Sequence, residues 1–113
     1  MLAINQDLVD EQAYSWTEKH KKSALSFIIL TALQKHSMWS KELEKYITEV
    51  TGWSISERAL YRVLNRMHKQ GSIEFNTQAA ERTGAERKVY DISPDGRALL
   101  TAMKSEMQYL AKI

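Results

Sequence analysis

The sequence predicts a mainly α-helical domain that carries one small β-hairpin. Three observations carry that expectation. Four glycines and one proline are the only strong breaks in 113 residues, which favours helices over a many-stranded sandwich. Apolar residues recur at helical spacing in three successive stretches before Gly71. After Gly71 the period changes to strict alternation, the mark of strands with one buried face.

Each element follows from its own pattern. Residues 1–22 are polar, with Val9, Ala13 and Trp16 at a 4,3 spacing. This predicts a short amphipathic arm or accessory helix, ended by the cluster Lys19, His20, Lys21 and Lys22. Residues 24–35 form a first strong helix, with Leu25, Ile28, Ile29, Ala32 and Leu33 in one wide apolar stripe. Residues 40–51 form a second, with Trp39, Leu43, Ile47 and Val50 on one face and Gly52 at its stop. A third begins at Ser54 or Ser56. Ser54 with Glu57 fits a capping box, and Ser56 is a rival N-cap. Its inward face is Leu60, Val63, Leu64 and Met67, and Gly71 ends it.

Residues 72–77 then alternate, a polar stretch with Gly84 intervenes, and Lys88, Tyr90 and Ile92 alternate again. This predicts a hairpin with a longer turn than the commonest ones. The last helix opens at Ser93-Pro94-Asp95 with an N-cap hydroxyl, proline at its first position and an acid at the positive dipole end. Helix, helix, capped helix, hairpin and long helix make the plan of a winged helix-turn-helix. Residues 23–93 are the expected winged-helix domain, and residues 94–113 a C-terminal helix.

Composition excludes several classes of function. The chain is 43% hydrophobic and 27% charged, as in a globular protein. It has no cysteine, so disulfides, thiolate metal sites and cysteine nucleophiles are out. His20, His36 and His68 lack metal-ligand spacing, the glycines are too dispersed to cradle a phosphate, and there is no serine-nucleophile motif. No catalytic residues, metal or cofactor are therefore expected. No signal peptide or 20-residue apolar span is visible, and the cytoplasm is the expected compartment.

The net charge is only +2, so where the charges sit matters more than their sum. The stretch from Arg58 to Lys69 holds four basic residues and no acid. On the outward face of the third helix it presents Arg58, Tyr61, Arg62, Asn65 and Lys69, with Arg66 on the flank. In this architecture that helix enters a DNA major groove. Guanidinium groups match phosphate oxygens and the guanine edge, and an asparagine amide matches adenine. Ser56 places a hydroxyl and a helix N-terminus near a phosphate. Arg82, Arg87 and Lys88 put charge on the wing, offset by Glu81 and Glu86.

An exposed basic face is often only a solvated surface, so the stripe gains its weight from the capped helix before it and the hairpin after it. In the last helix, Leu100, Met103, Met107 and Leu110 are spaced 3,4,3. That spacing fits either packing within the chain or a dimer seam. The seam is favoured because residues 24–67 already supply a core. The alternative to DNA binding is a winged-helix module that docks a partner protein.

These residues resemble the PadR family of winged-helix transcriptional regulators. The segment LYRVLNRMHKQGSIE is similar to the family's recognition helix and first wing strand. RKVYDISPDGRALL is similar to its second wing strand and last helix, and LSFIILTALQKHSMWSKELEKYI to its first two helices. The likeness spans about residues 23–110. It implies a double-stranded DNA-binding regulator, most often a repressor, paired through its C-terminal helix on an inverted-repeat site. The chain departs from the family pattern at Trp39-Ser40, where Gly-Tyr is common, at Arg62, where proline is common, and in a wing without proline. A small-molecule effector is left open. Length and divergence are also similar to those of a clock-associated member of the family, which would imply a role in biological rhythms.

Overall fold

The computed structural model describes residues 3–79 and 84–113. Four helices and three short strands follow in the order α1 (Gln6–Lys35), β1 (Met38–Trp39), α2 (Ser40–Thr51), α3 (Glu57–Lys69), β2 (Ile73–Ala79), β3 (Glu86–Ile92) and α4 (Pro94–Ala111). This is the winged helix-turn-helix that the patterning predicts: α2 and α3 form the helix-turn-helix, and β2–β3 form the wing.

One expectation fails at the start of the chain. The accessory helix and the first strong helix are a single 30-residue helix, and the Lys19–Lys22 cluster does not end it. Neither glycine nor proline occurs before Gly52, and lysine and histidine do not break helices. The side chain of Asn5 caps α1 by accepting the Leu8 N–H at 3.2 Å. Buried residues appear only from Ile28 to Leu33. The N-terminal half projects beyond the core, with Val9 and Trp16 exposed. Near its middle, His20 stacks on Trp16 with ring centroids 4.9 Å apart and meets the edge of Trp53 at 6.1 Å. Lys21 lies 5.6 Å above the Trp53 ring. Trp53 belongs to the turn between α2 and α3, so these rings fasten α1 to the helix-turn-helix.

The turn itself rests on Gly52, which ends α2 in the left-handed region at φ 73°. Its N–H returns to the Thr48 carbonyl at 2.8 Å. Ser56, not Ser54, is the N-cap of α3 and accepts the Ala59 N–H at 3.1 Å. On α2, Leu43 and Ile47 are buried as the spacing predicts, whereas Val50 is exposed.

The sheet has the order β1-β3-β2 and is antiparallel throughout. The two-residue β1 escaped the sequence pattern. It pairs Met38 with Tyr90 and Trp39 with Val89, tying the start of α2 to the base of the wing. One core joins these parts. It contains Ile29, Leu30 and Leu33 from α1, Leu43 and Ile47 from α2, Leu60, Leu64 and Met67 from α3, Ile73 and Tyr90 from the wing, and Leu100 from α4.

The seat of α4 is unusually close. Ser93 caps α4 by accepting the Gly96 N–H at 2.9 Å, and its hydroxyl donates to the Gly71 carbonyl at 2.6 Å. Its own N–H donates to the Ser72 carbonyl at 3.1 Å. A Cβ on Gly96 would stand 2.0 Å from the Ser72 oxygen, so only glycine lets the helix lie on that backbone.

Candidate nucleic-acid interface

The site is built on α3, which divides cleanly along its length. Leu60, Val63, Leu64 and Met67 are buried. Arg58, Tyr61, Arg62, Asn65, Arg66 and Lys69 are all exposed. None of the four cations forms an ion pair with a described residue. Burial of one face fixes the helix, and the opposite face carries four free positive charges with no carboxylate from Arg58 to Lys69. The N-terminus of α3 is exposed at Ser56, whose hydroxyl already caps Ala59 and still has a proton to donate.

The wing brings two further cations beside α3. The Lys88 ammonium lies 4.5 Å from the Phe75 ring centroid and 5.5 Å from that of Tyr61 on α3. The Arg87 guanidinium lies 4.3 Å from the Trp39 ring centroid. Such contacts hold a cation in place without neutralising it. Arg82, the remaining expected wing residue, lies outside the described residues.

Between the start of α2, the first turns of α3 and the wing is a cleft of about 410 Å³ lined by Ser40, Tyr61, Thr77, Arg87, Lys88 and Tyr90, among others. The Tyr90 hydroxyl and Arg87 Nε are buried there without a hydrogen-bond partner. Burial, and after it the neighbouring Tyr61, pushes the Tyr90 phenol from 10.0 up to about 12. Ser40, Thr77 and Tyr90 are not among the site residues expected from the sequence, because they come from three separate elements that only the fold brings together.

The residues expected at a dimer seam divide into two groups. Leu100 is 2% exposed and belongs to the chain's own core, and Met103 is half-buried against that core. Met107 and Leu110 are 41% and 67% exposed. They line a largely apolar groove of about 510 Å³ between α1 and α4, together with Ala24, Phe27, Leu99 and Met103. Among the described residues, no group of three or more histidine or acidic side chains is placed to hold a metal ion, and no helix is long and apolar enough to cross a membrane.

Fold and site together define a winged helix-turn-helix protein with an exposed basic third helix. The chain belongs to the transcriptional regulator PadR-like family, whose profile matches residues 29–102. That is a family of regulators, not of enzymes. Among solved structures, the chain is similar to a transcriptional regulator from Thermoplasma acidophilum, with 26% identity and a TM-score of 0.76 over 83% of this chain and 89% of that one. It shares its fold with a PadR family regulator from Eggerthella lenta, at 19% identity and a TM-score of 0.78 over 93% and 90% of the two chains. It is also similar to Bacillus subtilis PadR in complex with operator DNA, at 27% identity and a TM-score of 0.64 over 71% of this chain and 47% of that one. A search of curated protein sequences finds no match.

Proposed function

We propose that the chain is a sequence-specific, double-stranded DNA-binding transcriptional repressor that acts as a homodimer on an inverted-repeat promoter site. The observation that carries this reading is the division of α3, with one face buried in the core and the other bearing unpaired Arg58, Arg62, Arg66 and Lys69. In this reading Arg58, Tyr61, Arg62 and Asn65 meet base edges and nearby phosphates in the major groove. Ser56, Arg66, Lys69, Arg82, Arg87 and Lys88 supply backbone contacts that fix register and weaken with salt. The operator complex of the Bacillus subtilis relative supports DNA as the partner.

Pairing in this reading uses the α1–α4 groove. Its apolar lining, with Met107 and Leu110 exposed, is costly to leave in water. A second copy related by a two-fold axis covers it, and the projecting N-terminal half of α1, exposed at Leu8, Val9 and Trp16, extends the contact. Residues 1–22 then act as an arm and residues 94–113 as the dimerising helix. Two α3 helices held this way read half-sites about one or two helical turns apart. Repression follows from occupying the promoter. A clock role is not part of this reading, since none of these residues distinguishes it.

Selection of bound duplexes from a random pool tests the proposal. A recovered motif with two-fold symmetry, lost on Arg58→Ala with Arg62→Ala, is the expected result. No enrichment, combined with binding that is indifferent to salt, overturns it and favours a protein-docking module.

A further inference from the structure

The cleft beside the wing has features that a general basic surface does not explain. Strand β1 pairs with β3 only as far as Trp39 opposite Val89. The next residue, Ser40, turns away into α2. From Lys88 outward this edge of β3 therefore has no strand partner among the described residues, and the cleft opens there. The groups gathered around it are mainly donors: the Arg87 guanidinium, the Lys88 ammonium, and the hydroxyls of Ser40, Tyr61 and Tyr90. Both cations are fixed over aromatic rings, Arg87 over Trp39 and Lys88 over Phe75 and Tyr61. Tyr90 is 2% exposed, and its hydroxyl is left without a partner beneath Tyr61. A buried, unpartnered polar atom is costly; the neighbouring group that bears on the Tyr90 hydroxyl is Tyr61, so an occupant that engages Tyr61 also settles Tyr90.

We infer that this cleft seats one backbone phosphate of the bound duplex, with Arg87, Lys88, Tyr61 and Ser40 touching it and Tyr90 holding Tyr61 from below. The inference rests on the DNA-binding reading and goes further by joining α2, α3 and the wing on a single anion. When Tyr61 donates to the phosphate, its oxygen becomes a better acceptor, and the Tyr90 hydroxyl gains the partner it lacks. Tyr90 is thus a positioning residue that acts through Tyr61.

The choice of a duplex phosphate over a free one follows from charge. Glu57 and Glu86 also line the cleft, and both are exposed. Together they offset Arg87 and Lys88, so a free anion feels little net attraction. A phosphate already carried in by the basic face of α3 is delivered past that rim to the inner donors.

The test is binding of a short random-sequence duplex, followed by fluorescence anisotropy across a salt series. Arg87→Gln weakens binding and reduces the slope of log affinity against log salt by about 1. Tyr61→Phe weakens binding roughly three- to tenfold with little change in slope. Tyr90→Phe does the same without lowering the melting temperature, because it removes a hydroxyl that has no partner. The double variant Tyr61→Phe with Tyr90→Phe binds no worse than Tyr61→Phe alone, the signature of one residue acting through the other. Inorganic phosphate at millimolar concentration neither stabilises the protein nor competes with the duplex.

Wild-type affinity in Tyr90→Phe, or additive losses in the double variant, would overturn the inference and leave water as the occupant. Protection by inorganic phosphate would overturn the assignment to DNA. If these variants bind normally while Arg62→Ala does not, the phosphate seat fails and the DNA-binding reading stands. If the unaltered protein binds no duplex at low salt, both fail.

Discussion

Replacing Gly96 by alanine probes how the C-terminal helix is held on the winged-helix domain. The added Cβ would stand 2.0 Å from the Ser72 carbonyl oxygen, 2.9 Å from Ile92 Cγ1 and 3.0 Å from the Ser72 carbonyl carbon. Ordinary contact begins near 3.4 Å, and the nearest obstacle is backbone, so α4 must retreat by about 1.4 Å. That retreat stretches the bonds from Ser93 to Ser72, Gly71 and Gly96, and loosens Leu100 from the core. Overpacking costs about 1–3 kcal/mol, and weakening an N-cap costs about 1 kcal/mol more. The expected loss is about 2–4 kcal/mol out of a total near 5–15 kcal/mol. At roughly 4 °C or more per kcal/mol, the melting temperature falls by about 8–16 °C or more. Thermal unfolding followed by circular dichroism measures this directly. A midpoint within about 2 °C of the unaltered protein would mean that α4 does not lie on the Ser72 backbone.

Three further outcomes follow from the same geometry. Arg62→Ala leaves the melting temperature unchanged, because the side chain is exposed and unpaired. It weakens operator binding by about 1–3 kcal/mol and relaxes selectivity at one base position, as anisotropy with a substituted operator series checks. Met107→Glu with Leu110→Glu halves the mass seen by light scattering while secondary structure is retained, since both side chains are exposed in the single chain; an unchanged mass would remove the groove as the pairing surface. At high pH the unfolded chain releases the Tyr90 proton near 10.0, whereas the folded chain holds it to about 12. The unfolded state therefore binds fewer protons, and stability falls as pH rises across that window. Urea midpoints measured from pH 9 upward should decline less steeply in Tyr90→Phe, and identical slopes would show that the phenol is not held neutral by burial.

The two faces of helix α3 were legible because one is core and the other water, which writes a 3.6-residue period into Leu60, Val63, Leu64 and Met67 and leaves the cations between them. The continuity of α1 was harder to see. Its apolar pattern fades toward the N-terminus because the helix leaves the domain, not because the helix ends, and periodicity reports burial as much as conformation. Strand β1 has two residues and therefore no period to read. Ser54 and Ser56 offer the same capping chemistry, and only the fold selects Ser56. The 3,4,3 spacing in α4 is identical for packing within a chain and between chains, so Leu100 and Leu110 look alike in the sequence although one is buried and the other exposed. The cleft around Tyr90 is a product of register, with Phe75 opposite Tyr90 and Thr77 opposite Lys88, and no local pattern announces it.

In the proposed function the exposed face of α3 lies against a nucleic-acid backbone and base edges. The salt dependence of duplex affinity, compared between the unaltered protein and the Arg58→Ala, Arg62→Ala and Arg66→Ala variants, tests it most directly. Log affinity is expected to fall steeply and linearly with log salt, with a slope that shrinks by about one for each cation that contacts a phosphate. Affinity that is flat with salt, or unmoved by all three substitutions, would contradict it.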